Sequence, residues 1–148
     1  MSSTKSQLLE VCLAHVNKRI ANYKDEIETI KDSIENNDKG DGEDDSGNGK
    51  LYNDLEKNSQ YLSDATKMLD TLKLIKPNMI HQHVVLGSLV KTDTSNFYLA
   101  VSIGKVEIDN ENYFILSKSS PIGELLINKT IGDSITFNNT AYKIKDIK

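Results

Sequence analysis

The chain has 148 residues, 37% of them hydrophobic and 27% charged, with no Trp and a net charge of −4. That length suits one ordinary domain or two small ones, and with no run of about 18 apolar residues a membrane-spanning helix is excluded. The negative charge is local: residues 1–78 hold 11 basic and 15 acidic side chains, residues 79–148 hold 7 and 7, and residues 38–50 alone hold five acids against Lys39 and Lys50. The opening Met1-Ser2-Ser3-Thr4-Lys5 shows neither an apolar signal core nor a small-residue cleavage site, so a cytoplasmic protein is expected. The single Cys12 has no partner for an internal disulfide; between apolar neighbours it reads as a small core residue rather than a nucleophile.

Leu9, Leu13, Val16, Ile20, Tyr23, Ile27, Ile30 and Ile34 alternate in steps of 4 and 3, the spacing of a coiled-coil seam. Thr4 and Gln7 suit a capping box at the start of this helix. The pattern stops at Asn36-Asn37-Asp38, where Gly40, Gly42, Gly47 and Gly49 argue against continued helix. It resumes with Leu51, Leu55, Asn58, Leu62, Ala65, Leu69 and Leu72. Two heptad helices joined by a short loop predict an antiparallel coiled-coil hairpin over 1–76 with an acidic tip loop at 37–50. Asn58, the polar seam residue, is expected to fix register. A two-helix hairpin buries little, so support from another domain or a partner is expected.

Lys76-Pro77-Asn78 ends the second helix and opens a linker over 77–83. Beyond it the period changes. Val84–Lys91, Phe97–Val106, Tyr113–Ser117, Ser134–Phe137 and Ala141–Ile147 read as strands, with turns at Thr92–Asn96, Asp109–Asn112 and Asn138-Asn139. Ser120 followed by Pro121 predicts an N-cap and first turn of one short helix. The fold class is therefore α+β: the hairpin, then a small antiparallel β domain over 84–148.

No nucleophile constellation is visible. His81 and His83 share one side of an extended segment and could ligate a metal, but without further Cys or His nearby they read as polar linker residues. His15 lies off the seam and is expected to be exposed. The tip admits three readings. Asp44-x-Ser46-x-Asn48-Gly49 resembles the start of a calcium loop, yet its twelfth position is Leu55 rather than an acid. A solvated turn held open by charge is the second. The third is a set of carboxylates delivered on a stiff rod to a metal held elsewhere, hard oxygen ligands suited to Mg2+.

Val84-Val85-Leu86-Gly87-Ser88-Leu89-Val90, Tyr98-Leu99-Ala100-Val101-Ser102-Ile103-Gly104, Ser119-Ser120-Pro121-Ile122-Gly123 and Lys129-Thr130-Ile131-Gly132-Asp133, in this order behind an acidic-tipped hairpin, resemble the C-terminal domain of Gre-type bacterial transcript cleavage factors. The family motif at the third of these is Ser-Pro, then Ile or Leu, then Gly or Ala. The resemblance spans nearly the whole chain. It implies an FKBP-like C-terminal domain without the isomerase site, and a non-enzymatic factor whose partner is RNA polymerase. The hairpin would enter the polymerase secondary channel, and nucleic acid would be met only within the elongation complex, with no membrane involved. Asp41 and Asp44, with Glu43 and Asp45 as substitutes, would help hold the Mg2+ of the polymerase active site and stimulate cleavage of backtracked RNA. No tightly bound cofactor of the chain's own is implied, and a monomer is expected. Docking is implied near Ser119, Ser120, Pro121 and Ile122, whereas Gly132-Asp133 reads as a turn.

The tip departs from the family's Gly-Asp-Leu-x-Glu-Asn-x-x-Tyr. Here it reads Gly40-Asp41-Gly42-Glu43-Asp44-Asp45, with Gly42 in place of Leu, the shorter Asp44 in place of Glu, and no Tyr until Tyr52. Inhibition of polymerase through the same channel is therefore a second expectation. A structural or chaperone-like coiled coil without polymerase contact is a third. A prolyl isomerase is disfavoured, because the sheet region lacks the dense aromatic cluster of a proline pocket.

Overall fold

The computed structural model describes residues 3–38 and 46–148. Its elements in chain order are α1 (Thr4–Asp38), α2 (Ser46–Lys73), β1 (Leu89–Thr92), β2 (Asn96–Leu99), β3 (Gly104–Ile108), β4 (Glu111–Leu116), α3 (Pro121–Leu126), β5 (Ser134–Phe137) and β6 (Thr140–Ile147). They form two compact units, Met1–Ala14 with Asp70–Lys148, and His15–Leu69. The division falls inside both long helices and not at 77–83, so the root of each helix is built into the sheet-bearing unit.

Ser3, not Thr4, caps α1: its Oγ accepts from Ser6 N at 3.1 Å, and Gln7 N donates to Ser3 O at 3.0 Å. The helix then runs through Asn36-Asn37 to Asp38, and α2 begins at Ser46, ahead of Gly49 and with Gly47 inside it. The loop expected over 37–50 is therefore shorter than its glycines suggest. Each helical Gly costs only about 1 kcal/mol relative to Ala, which packing elsewhere along a long helix overrides.

In the unit His15–Leu69 the helices run antiparallel, and the seam is the expected one. Val16, Ile30, Ile34 and Ala65 are buried, while Ile20, Tyr23, Ile27, Leu55, Asn58 and Leu62 are half-buried. Tyr23 and Tyr61 meet across the seam with ring centroids 5.6 Å apart, and the Arg19 guanidinium reaches Met68 Sδ and Tyr23 Oη. Asn58 does not act across the seam. Its Nδ2 donates to Asp54 O in its own helix at 2.9 Å, which satisfies the amide without a register partner.

In the other unit six strands form one sheet in the order β3-β4-β2-β1-β6-β5. All neighbours are antiparallel except β2 and β4, which are parallel, so the sheet is mixed. Phe97–Val106, expected as a single strand, is two: the chain reverses at Ala100–Ile103, and β2 and β3 flank β4 on opposite sides. The reversal wraps the end of β4, with Ala100 N donating to Leu116 O at 2.8 Å and Ile103 N to Ile115 O at 3.3 Å. Two hairpins close through left-handed pairs, Asp109-Asn110 (φ 52° and 65°) and Asn138-Asn139 (φ 48° and 64°), the conformation that tight two-residue turns require.

Both faces of this sheet are covered. Val84, Val90, Phe97, Leu99, Ile135, Ile144 and Ile147 bury one face together with Leu126 of α3. On the other face the register aligns Leu89, Tyr98 and Ile115 across β1, β2 and β4, all fully buried. The helix roots provide that cover. Leu8, Cys12, Leu72 and Ile75 are buried there, and Ile75 Cγ2 stands 3.0 Å from where a Cβ on Gly87 would lie. At the root of α1 the buried stripe is thus Lys5, Leu8 and Cys12, one position off the expected Leu9 and Leu13, which are half-buried.

Two exposed carboxylates pin loops of this unit. Asp93 Oδ1 accepts from Lys143 N at 3.0 Å, and Asp133 Oδ2 accepts from Thr130 N at 2.8 Å and Thr130 Oγ1 at 3.1 Å. These bonds hold both acids below the ordinary Asp value of 3.8. A depressed folded-state pKa adds stability that is present above 3.8 and lost as pH falls through the folded value. Urea midpoints are accordingly expected to fall below pH 3.8, and less steeply for Asp93→Asn/Asp133→Asn. An unchanged slope in that double variant would remove these acids from the acid response.

Candidate functional site

The far ends of the hairpin are tied together by their side chains: Asn37 Nδ2 donates to Asn48 Oδ1 at 3.1 Å. The segment that joins these ends, 39–45, carries Asp41, Glu43, Asp44 and Asp45 against Lys39. It lies outside the described residues, and with it all the acids expected to act on the polymerase Mg2+. The described structure fixes what holds the segment. Both flanking helices are continuous, α1 to its C-terminus at Asp38 and α2 from its N-terminus at Ser46.

The expected docking residues stand at the start of α3, in the sheet-bearing unit. Ser120 is the N-cap: its Oγ accepts from Gly123 N at 3.1 Å and donates to Ser117 O at 2.7 Å, while Glu124 N donates to Ser120 O at 2.8 Å. Pro121 occupies the first helical turn, where its missing N–H is not needed. Ile122 is half-buried against the core of the sheet. Ser119 and Pro121 are exposed, and Ser119 Oγ lies 3.1 Å from Ser117 Oγ. The four residues therefore form one turn, in which Ser119 and Pro121 face solvent and Ser120 and Ile122 hold the turn in place.

A residue that the motif contains but whose role it does not explain sets this turn. Gly123 is buried, and a Cβ there would stand 2.1 Å from Ser117 O, 2.9 Å from Ser120 Oγ and 3.0 Å from Lys118 Cα. Only hydrogen fits. The 117–120 segment folds so closely over the first turn of α3 that glycine is a requirement of space rather than of dihedral angle.

Gly132-Asp133 is the expected turn. Gly132 has φ +94°, Gly132 N donates to Ile144 O at 2.9 Å, and Ile144 N donates to Asp133 O at 2.8 Å. His83 forms a bridge with Thr130 and is exposed. His81 Nε2 is buried without a hydrogen-bond partner; burial, then Lys5, then His83, lower its pKa and keep it neutral. Among the described residues no group of three or more His, Cys, Asp or Glu is placed to hold a metal ion. Cys12 is buried and free, and burial pushes its thiol up to about 12, which suits a core residue and not a nucleophile. His15 is exposed. Among the described residues no helix is long and apolar enough to cross a membrane.

No protein-family model matches the chain, and no curated protein matches it. Among solved structures it is similar to the GreA factor homolog 1 (Gfh1) protein of Thermus thermophilus, at 15% identity over 92% of this chain and 94% of that one, with a TM-score of 0.36. It is also similar to Thermus aquaticus Gfh1, at 14% identity over 90% and 92% with a TM-score of 0.34. A further structure of the transcription factor Gfh1 gives 13% identity over 90% and 89% with a TM-score of 0.33. Likeness this distant carries no conclusion about activity.

Proposed function

We propose that the chain is a Gre-like regulator of RNA polymerase. It enters the secondary channel with its hairpin and presents Asp41 and Asp44 to the active-site Mg2+, so that backtracked RNA is cleaved. The observation that carries this reading is the tying of the two helix ends, through Asn37 and Asn48, around the segment that holds most of the chain's excess negative charge. The motif string behind the hairpin supports it, with Ser120-Pro121 as a helix start that leaves Ser119 and Pro121 open to a partner.

Carboxylates are hard oxygen donors, and Mg2+ accepts one or two of them while keeping waters, so the donor set fits. At a two-metal site the ions activate water and stabilise the leaving oxygen. This chain contributes ligands and their placement and performs no chemistry of its own. It works as a monomer without a tightly bound cofactor and meets nucleic acid only through the elongation complex.

The test uses stalled, backtracked elongation complexes. The chain is expected to shorten and restart the transcript, and Asp41→Ala/Asp44→Ala to abolish shortening while still co-purifying with polymerase. Unshortened transcripts with the unaltered chain sink the cleavage reading. The tip sequence favours one second reading, occupancy of the channel without cleavage. Gly42 replaces the family's Leu, and Asp44 is one methylene shorter than its Glu, so the acids are less pre-organised. That reading predicts slower nucleotide addition and intact transcripts.

A further inference from the structure

Lys5 is 5% exposed, and its ammonium donates to the carbonyl of Met79. No carboxylate among the described residues forms an ion pair with it, and burial alone lowers its pKa. A lysine is almost never buried so completely without a counter-charge, because desolvating an ammonium costs several kcal/mol. Beside it lies a cavity of about 510 Å3, wholly within the sheet-bearing unit. Pro77, Met79, Ile80, Leu89 and Ile147 give it mainly apolar walls. Asp146 and Lys148 also line it with opposite charges, and Asp146 Oδ1 accepts from Ile147 N at 3.0 Å. The size is that of a small-molecule site, and most of its lining surface is apolar with polar groups among it.

We propose that this cavity binds a small amphipathic acid, with its carboxylate against Lys5 Nζ and its apolar tail along Met79, Leu89 and Ile147. The charges of Lys5 and Lys148 outweigh that of Asp146, and the desolvated ammonium of Lys5 selects an anion over a cation or a neutral molecule. The apolar walls select a ligand with a hydrocarbon tail over a bare inorganic anion. The site is independent of polymerase binding.

Octanoate, octanol and acetate serve as probes against the full isotope-labelled chain. Octanoate is expected to bind saturably and to move the amide resonances of Ile80, Leu89 and Ile147. Octanol should be at least about tenfold weaker because it forfeits a charge-assisted hydrogen bond, and acetate at least about tenfold weaker because it lacks the apolar tail. Lys5→Met replaces an unpaired buried charge by an apolar chain of similar length and should fold. It is expected to bind octanoate no better than octanol, and Lys5→Arg to restore the preference. Octanoate that fails to saturate, binds no better than octanol, perturbs resonances elsewhere, or binds Lys5→Met as well as the unaltered chain overturns the proposal.

Discussion

Gly123→Ala is expected to destabilise the sheet-bearing unit by about 3 kcal/mol, at the upper end of what overpacking costs. A carbon 2.1 Å from a carbonyl oxygen cannot be accommodated by turning a side chain, because the obstructing atom, Ser117 O, is backbone. That oxygen is also fixed from the other side, accepting from Ser120 N at 3.1 Å and from Ser120 Oγ at 2.7 Å. Relief requires the 117–120 segment to lift or α3 to move outward. The first breaks the N-cap, worth about 1 kcal/mol. The second pulls Ile122 and Leu126 from the core they share with Val84 and Ile135. Urea denaturation measures the loss, and a change below about 1 kcal/mol would mean that the segment yields freely.

This substitution also bears on docking. Ser119→Ala alters an exposed side chain outside the cap and is expected to leave stability unchanged, so weaker polymerase binding in that variant would report contact directly. Gly123→Ala displaces the whole turn and should weaken binding together with stability. The family motif admits Gly or Ala at this position. In this chain the path of residues 117–120 leaves room for Gly alone.

The helical seam was legible in the amino-acid sequence because it is a local period. Val16, Ile30, Ile34 and Ala65 are buried where the heptads place them. The period misplaced the buried stripe at the root of α1, since Leu8 and Cys12 face a sheet whose strands lie some eighty residues away in the chain. The reversal inside Phe97–Val106 was hidden for the same reason. Ala100-Val101-Ser102-Ile103 contains no Gly, Pro, Asn or Asp, and its path is set by bonds to both edges of β4. The Asn138-Asn139 turn and the Ser120-Pro121 helix start were readable because one or two residues encode them. Of the candidate site, the motif located the helix start at Ser120-Pro121, but the division of labour within that turn depends on Gly123 and Ser117, a contact of space that no spacing rule reveals.

A fragment of residues 84–148, cut within the stretch that reads as a linker, is expected not to fold. It would keep every strand and the core beneath α3, yet it would expose the face on which Leu89, Tyr98 and Ile115 lie in register. Burying a large apolar side chain contributes about 1.5–3 kcal/mol. Three such side chains amount to roughly 5–9 kcal/mol, comparable with the whole stability of a typical domain. Tyr113, buried two residues from Ile115 on β4 and so on the same face, would also be uncovered. Tyr98 contributes through its ring. Its hydroxyl is buried without a partner, and burial, then the neighbouring Cys12, push its pKa up, so rehydrating that one group in the fragment offsets only part of the apolar loss. The complementary deletion, which joins Ala14 to Asp70 and removes His15–Leu69, retains both covers and is expected to unfold cooperatively. Well-dispersed amide resonances in the 84–148 fragment would show instead that the roots are dispensable and that the sheet ends at its linker. A collapsed spectrum for that fragment beside a dispersed one for the hairpin deletion would establish that the sheet borrows its second core from the two helix roots, within residues 1–14 and 70–83.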